Sequence, residues 1–292
     1  MDLAFFNACR NGQKVIAEML IQKGKVDITY TDNDGSSALH YVAAKGYKKL
    51  AELLISNGID VNYVNRQGVT ALLIAIKQNQ KEMALLLIDN GADINQCDNE
   101  GVLPIHYVSG RGQKEVLQKL IDNGTDINAT DGDGCTPLHY ACTNRQFLSV
   151  EVLLHNGANV DALDNYNATP VFYSLEKNQK DITNYLLEKG AYLNHTDHNG
   201  NSLLHNASRC GYKDMVELLL SKSIDINCIN IDNETALHLA CENAKKDVAI
   251  LLIKHNADIT IKNSVGRTCA DIAAENGHKE ILSVLLEKET SL

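Results

Sequence analysis

The sequence predicts an all-α solenoid of about nine short helix–turn–helix units joined by β-hairpin-like loops. Three observations predict this fold class: a motif that recurs every 33 residues, Gly or Asn at the same turn positions of most copies, and apolar residues at helical spacing between the turns. Because one copy cannot bury its own apolar stripe, we expect stability to come from the stacking of neighbouring copies.

The motif is clearest at Thr136-Pro137-Leu138-His139 and recurs at steps of 33 residues in both directions. The eight copies begin at Ser37, Thr70, Leu103, Thr136, Thr169, Ser202, Thr235 and Thr268. A degenerate copy, which runs from Leu3 to Asp27, precedes them. One frame therefore holds along the chain without an insertion between copies, which is the signature of a repeat architecture.

The first turn position of each copy lies two residues before its Ser/Thr position. The residues there are Gly35, Gly68, Gly101, Gly134, Asn167, Gly200, Asn233 and Gly266. Gly and Asn tolerate a positive φ, which the tip of a tight hairpin requires. The Ser or Thr that follows can cap the first helix, and Pro suits the next position because the N–H it lacks would have no helical partner there.

A second turn position ends the short first helix of each copy. It is filled by Gly46, Asn79, Gly112, Asn178, Gly211 and Gly277. Arg145 and Ala244 occupy this position in the other two copies, where we expect local strain. A second helix follows, as in residues 50–55, and stops at a third Gly position that Ser223 and Asn256 fill late in the chain.

These residues resemble the ankyrin-repeat family, whose unit has 33 residues and a Thr-Pro-Leu-His signature. The sequence departs from the signature where Leu103 replaces Thr and where Leu73, Phe172 and Asp271 replace His. The resemblance implies a single ankyrin-repeat domain over residues 1–292. Its predicted repeats are a degenerate capping repeat at 1–33, internal repeats at 34–66, 67–99, 100–132, 133–165, 166–198, 199–231 and 232–264, and a C-terminal repeat at 265–292.

Composition limits the classes of protein and of partner. The formal net charge of −10 argues against nucleic acid as the main partner, because nucleic-acid-binding proteins usually carry net positive charge. The apolar runs are far shorter than a membrane span needs, and the N-terminal residues lack the basic start of a signal peptide. The eight cysteines lie apart with no CxxC pair, which favours reduced thiols. We therefore expect a cytoplasmic protein, with the nucleus as the alternative, and no contact with a membrane.

The sequence does not predict an enzyme, because it lacks a phosphate-binding Gly-rich loop, HExxH and GxSxG. The signature histidines are expected to be structural, each bonding its own Thr or the next loop. They are His40, His106, His139, His205 and His238. The strongest metal candidate combines His195 and His198 with His205 and Cys210, but this spacing is too loose to predict a zinc site. We therefore predict no catalytic residue, no metal and no cofactor.

In ankyrin proteins the first helices and the hairpin tips form a concave groove, and the resemblance implies that this groove binds partners. The residue after the His position is predicted to face it. These residues are Tyr41, Ile74, Tyr107, Tyr140, Tyr173, Asn206, Leu239 and Ile272. Tyrosine is enriched at the energetic centres of interfaces, so the four tyrosines are candidates for partner contact. The alternative is that they only pack between neighbouring first helices.

Charge divides along this predicted groove. Lys45, Arg66, Lys77 and Arg111 lie in the N-terminal half, whereas Asp232, Glu234, Glu242 and Glu275 lie in the C-terminal half. Such asymmetry can orient an elongated ligand and speed its association. It is equally compatible with an ordinary solvated surface. Our hypothesis is that an acidic or phosphorylated segment of a partner meets repeats two to four.

The function predicted by these features is that of a non-enzymatic scaffold, adaptor or inhibitor that binds another protein on the concave face. One alternative is an assembly chaperone for a large complex, as some ankyrin proteins are for the proteasome. Another is the regulatory ankyrin domain of a larger enzyme or channel. The last three residues, Thr290-Ser291-Leu292, resemble a ligand of PDZ domains, which gives a second candidate contact.

Overall fold

The computed structural model describes residues 1–24 and 26–290. Regular secondary structure within these residues is helical, with isolated antiparallel bridges at Thr31–Ser37 and Thr196–Ser202. The helices are α1 (Asp2–Arg10), α2 (Lys14–Gln22), α3 (Ala38–Lys45), α4 (Lys48–Ser56), α5 (Ala71–Lys77), α6 (Lys81–Asp89), α7 (Pro104–Arg111), α8 (Lys114–Asp122), α9 (Pro137–Thr143), α10 (Phe147–His155), α11 (Pro170–Glu176), α12 (Lys180–Glu188), α13 (Leu203–Cys210), α14 (Lys213–Ser221), α15 (Ala236–Glu242), α16 (Lys246–Lys254), α17 (Cys269–Glu275) and α18 (Lys279–Glu289). The predicted all-α class is confirmed.

The chain forms two compact units, Met1–Asn159 and Val160–Leu292, called here the first and second unit. In the first unit the first helices of successive repeats pack on one another in the order α1, α3, α5, α7, α9, and the second helices in the order α2, α4, α6, α8, α10. In the second unit the corresponding orders are α11, α13, α15, α17 and α12, α14, α16, α18. Each unit therefore has two helical layers. The single domain and its repeat boundaries stay predictions.

The signature histidines join adjacent repeats. The backbone N–H of Ser37 donates to His40 Nδ1 at 3.2 Å, so Nε2 carries the proton and donates to the carbonyl oxygen of Val69, in the next repeat, at 3.0 Å. His205 is bonded in the same way by Ser202 (3.1 Å) and to the carbonyl oxygen of Glu234 (2.8 Å). Burial lowers the pKa of both imidazoles and keeps them neutral. The predicted structural role is confirmed for His40 and His205.

The turn positions adopt the left-handed conformation that the sequence predicts, even where Gly is absent. Arg145 has φ 60°, Ala244 has φ 55° and Ser223 has φ 62°. A residue with a Cβ atom is destabilised there by about 1–2 kcal/mol, so these turns carry the expected strain. At Gly46, which occupies the same turn position as Ala244, a Cβ atom would lie 2.2 Å from Gln80 Oε1.

Three cysteines fill small spaces between helices. Cys9, Cys142 and Cys241 are fully buried, and none of the eight cysteines, all of which lie in the described part of the chain, is in a disulfide bond. Burial raises the pKa of the Cys9 thiol to about 12, which keeps it protonated and unreactive. These side chains therefore serve the core.

Candidate functional site

The face predicted to bind a partner differs between the two units. In the first unit, Tyr41, Ile74, Tyr107 and Tyr140 follow the His position and are partly exposed, as Tyr173 is in the second unit. The expectation that every residue at this position faces outward is wrong for Asn206, Leu239 and Ile272, which are buried. The guanidinium of Arg209 donates to Asn206 Oδ1 at 2.8 Å and covers it, while Leu239 and Ile272 lie among the packed helices α13, α15 and α17.

Each of the four tyrosine hydroxyls is bonded to an aspartate nine residues earlier, in the hairpin that leads into the helix of that tyrosine. The acceptors are Asp32 for Tyr41 (2.6 Å), Asp98 for Tyr107 (2.7 Å), Asp131 for Tyr140 (2.7 Å) and Asp164 for Tyr173 (2.5 Å). The other carboxylate oxygen of Asp98 accepts the hairpin N–H groups of Glu100 and Val102. The pairs therefore fix each ring against its hairpin and occupy its hydroxyl.

Sequence reasoning missed these pairs, although the sequence contains a signal for them. The residue nine positions before each of the four tyrosines is Asp. In three of the other four copies the equivalent residue is Asn: Asn65 lies nine positions before Ile74, Asn230 before Leu239 and Asn263 before Ile272. Asp197, which precedes Asn206, is the exception, and its Oδ2 accepts a bond from the amide of Asn201 instead. A spacing of nine residues between Asp and Tyr would have predicted the bond.

Lys77 is part of this structure rather than an independent positive charge. Its ammonium lies 2.9 Å from Asp98 Oδ2 and 4.3 Å from the centroid of the Tyr107 ring. Burial opposes ionisation of Asp98, but the hydrogen bonds from Lys77 and Tyr107 outweigh it and lower the pKa of this carboxyl. The Lys77 charge is therefore largely neutralised by a buried partner.

Other predicted cations of the first unit are exposed. Lys45 and Arg111 are the last residues of α3 and α7. Arg66 lies in a hairpin, and its backbone N–H donates to the carbonyl oxygen of Asp34 at 3.0 Å. Arg66 lines a shallow depression together with Lys77 and the acidic residues of the next hairpin. The structure thus brings Arg66 and Lys77 together but leaves Lys45 and Arg111 at separate places.

The predicted acidic residues of the second unit have unequal surroundings. Asp232 and Glu242 are exposed, whereas Glu234 is partly buried and its Oε2 accepts a bond from Asn230 Nδ2 at 3.3 Å. Glu275 is paired with Arg267, with 2.6 Å between Oε2 and Nη1. Glu275 is therefore locally neutralised, in the way that Lys77 is in the first unit.

A hollow of about 510 Å³ lies between α7 and α9 in the first unit, and we call it the Gly110 hollow. Its lining residues are Asn79, Tyr107, Gly110, Arg111, Tyr140, Asn144 and Gln146. The guanidinium of Arg111 is the only formal charge among them. Two of the predicted tyrosines and one predicted cation therefore meet at this one place.

A second hollow, of about 300 Å³, lies in the second unit beside Tyr173. Its lining includes the carboxyl groups of Glu176 and Asp197 and the guanidinium of Arg209. It has mixed charge and an aromatic wall, so it differs chemically from the Gly110 hollow.

The histidines considered as metal ligands have other neighbours. His195 Nε2 lies 2.9 Å from the carbonyl oxygen of Asn167, and its ring packs edge-on against Phe172. His198 lies beside the ring of Tyr166. Among residues 1–24 and 26–290, His, Cys, Asp and Glu side chains form no group of three or more that could hold a metal ion.

Two further features concern the chain as a whole. None of the helices in the described part of the chain is long and apolar enough to cross a membrane. Of the predicted PDZ ligand Thr290-Ser291-Leu292, the last two residues lie outside the described residues, so that contact stays a prediction.

Comparison with known families identifies the repeat. The sequence model of a family described as ankyrin repeats (3 copies) matches residues 5–98, 72–164, 105–197, 158–230 and 204–292. These overlapping matches extend over both units.

Proposed function

The chain belongs to the ankyrin-repeat family, and we propose that it is a non-enzymatic scaffold or adaptor that binds another protein on its first helices and hairpin loops. Ankyrin repeats are generally protein–protein interaction modules, and proteins built from them are typically not enzymes. The observation that carries the proposal is the row of partly exposed tyrosines whose hydroxyls are held by hairpin aspartates. A surface that is rigid before binding loses less conformational entropy when the partner arrives.

Within this surface we propose that an acidic segment of the partner meets repeats two to four. Arg66 and Arg111 are exposed there, and the partly exposed ring of Tyr107 belongs to the same helix as Arg111. Positive groups beside partly exposed aromatic rings favour an acidic ligand with apolar stems. Lys45 adds to the attraction at longer range, and its contribution should decrease as salt is added.

The proposal is tested by measuring the affinity of the full chain for a binding peptide selected from a random peptide library. Tyr107→Ala, Tyr140→Ala and Arg111→Glu should each weaken binding, the tyrosine variants by about tenfold or more. Glu115→Ala, on the exposed surface of the second helix α8, is the matched control and should leave the affinity unchanged. Unchanged affinity in all three groove variants would overturn the assignment of this face.

A further inference from the structure

We propose that the Gly110 hollow is an anchoring pocket for one carboxylate side chain, a glutamate or an aspartate, of the bound partner. This inference rests on the proposed function, because it assigns partner chemistry to one place on the same face. It is carried by three observations: a missing side chain, two fixed aromatic walls and a lining whose only charge is positive.

The hollow exists because Gly110 has no side chain. The equivalent residues of the other repeats are Ala44, Lys77, Thr143, Glu176, Arg209, Glu242 and Glu275, all of which have one. Gly110 lies inside helix α7, where Gly is about 1 kcal/mol less favourable than Ala, and its φ is not positive, so backbone conformation does not require it. A Cβ atom here would lie 3.1 Å from Asn144 Nδ2 and 3.5 Å from Tyr140 Cδ1. A side chain at this position would therefore press on Asn144 and Tyr140, two residues that line the hollow.

The walls of the hollow are held in place before a ligand arrives. Tyr107 donates its hydroxyl proton to Asp98 at 2.7 Å, and Tyr140 donates to Asp131 at the same distance. Because both hydroxyls are occupied, the two half-buried rings offer apolar surface to the hollow. Such surface suits the methylene stem of a glutamate or aspartate.

Polar donors surround the space between the walls. The Arg111 side chain supplies a guanidinium that can bond both oxygens of a carboxylate. Asn144 Nδ2 uses one hydrogen on the carbonyl oxygen of Tyr140 at 2.9 Å, which leaves its second hydrogen for a ligand. Asn79 Oδ1 accepts a bond from the buried Gln113 at 2.9 Å, which makes Nδ2 the donor end of that amide. One guanidinium and two amides match the acceptor set of one carboxylate.

The charge of the lining favours a carboxylate over a phosphate. Arg111 brings a single positive charge, which a carboxylate balances, whereas a phosphorylated side chain carries about −1.5 to −2 at neutral pH. Lys77, whose ammonium lies over the ring of Tyr107, is already neutralised by Asp98. In the second unit, the hollow beside Tyr173 is lined by Glu176 and Asp197 as well as Arg209, so it does not select a carboxylate.

The test uses the full chain and a displayed library of random peptides. A selected peptide with an acidic residue at a fixed position is synthesised in three forms, with Glu, Gln or phosphoserine at that position. Affinities are measured by fluorescence anisotropy for the wild type, Arg111→Gln, Gly110→Ala and Gly110→Leu. Lys49→Gln is the matched control, because Lys49 is an exposed cation on the second helix α4 of the same unit and lies outside the hollow.

The wild type should bind the Glu peptide about tenfold more tightly than the Gln peptide, as expected for a charge-assisted hydrogen bond at a partly exposed site. Arg111→Gln should abolish that preference. The effect of Arg111→Gln in the protein and the effect of replacing Glu by Gln in the peptide should therefore not be additive. Gly110→Leu should lower the affinity by about tenfold, and Gly110→Ala should lower it less while the helix content is kept or raised. Lys49→Gln should change the affinity less than about twofold.

Three results would overturn parts of this account, and they differ from one another. If selected peptides bind but Arg111→Gln and Gly110→Ala leave the preference for Glu intact, the hollow is not the anchor, although the proposed function stands. If the phosphoserine peptide binds more tightly than the Glu peptide, the assignment to a carboxylate is wrong. If no peptide is selected on the wild type, the proposed function itself fails.

Discussion

The two units have the same repeat frame, but the face proposed to bind a partner differs between them. In both, buried histidines tie one repeat to the next, as His106 does through the carbonyl oxygens of Ala129 and Cys135 and His205 does through that of Glu234. The adjacent position differs: three partly exposed tyrosines occupy it in the first unit, whereas the second unit has Tyr173 followed by three buried residues. Stability therefore depends on one set of positions, and the neighbouring set is left to vary with the ligand.

The two units also differ in the charges on this face. The Gly110 hollow of the first unit has a single positive charge, whereas the hollow of the second unit combines carboxyl groups with Arg209. Exposed Asp232 and Glu242 add further negative charge to the second unit. An acidic ligand is expected to prefer the first unit on electrostatic grounds alone.

The largest effect on stability is expected when a signature histidine, which both units share, is replaced. His106→Leu and His205→Leu each leave backbone groups without their buried partner, so each should lower the free energy of unfolding by about 2 kcal/mol. Because the frame is common to both units, the two losses should be similar. Urea denaturation followed by circular dichroism measures them. A loss from only one of the two variants would contradict a common frame.

Acidification should weaken both units through the same histidines. Burial lowers the pKa of His40, His106, His205 and His238 below the value of 6.5 that they have in the unfolded chain. The unfolded chain therefore binds protons first, and the free energy of unfolding should fall as the pH drops below about 6.5. Denaturation midpoints measured between pH 7.5 and 5 test this. Because the pKa of these histidines is lower in the folded state than in the unfolded state, the protein should be most stable at pH 7.5. A flat profile would contradict it.

The tyrosine–aspartate pairs should differ in strength between the units. Tyr173→Phe removes a hydroxyl from Asp164 and should cost about 1.5 kcal/mol, whereas Tyr107→Phe should cost about 1 kcal/mol. The second loss is smaller because Asp98 keeps the ammonium of Lys77, 2.9 Å away. Thermal unfolding of the two variants gives the comparison. If Tyr107→Phe costs more, Lys77 does not compensate for the lost hydroxyl.

The smallest effect is expected at the strained turns. Ala244→Gly should raise the free energy of unfolding by about 0.5 kcal/mol, because relief of the left-handed strain exceeds the added entropy of the unfolded chain. Gly46→Ala is the matched control at the same turn position, and it should destabilise the protein because a residue with a Cβ atom is strained at the φ of 70° that Gly46 adopts. Chemical denaturation shows whether each variant raises or lowers the free energy of unfolding. A destabilising Ala244→Gly would mean that φ 55° carries no strain at that residue.

The sequence predicted what depends on local spacing. The 33-residue period located the helices and the left-handed turns, because these depend on residues close together in the chain, such as Thr136 and His139. It also predicted that each signature histidine bonds its own Ser or Thr or the next loop, and His40 contacts both, at Ser37 and at Val69.

The rest depended on contacts between side chains that are far apart in the chain. The neutralisation of Lys77 by Asp98 joins side chains 21 positions apart, so an inspection of single positions missed it. The burial of Leu239 and Ile272 depends on the packing of neighbouring helices. The Gly110 hollow likewise needs residues of three repeats to be placed together, although an exposed-face glycine inside a helix was a signal that the sequence contained.

The central claim is that the first helices and hairpin loops of the first unit bind a protein ligand, and hydrogen–deuterium exchange with and without a selected acidic peptide tests it most directly. We predict slower exchange at the ends of α7 and α9 and in the turns that follow them, around Arg111 and Asn144, with no change in the second helices α8 and α10. Protection confined to α8 and α10, or to the second unit, would contradict the account.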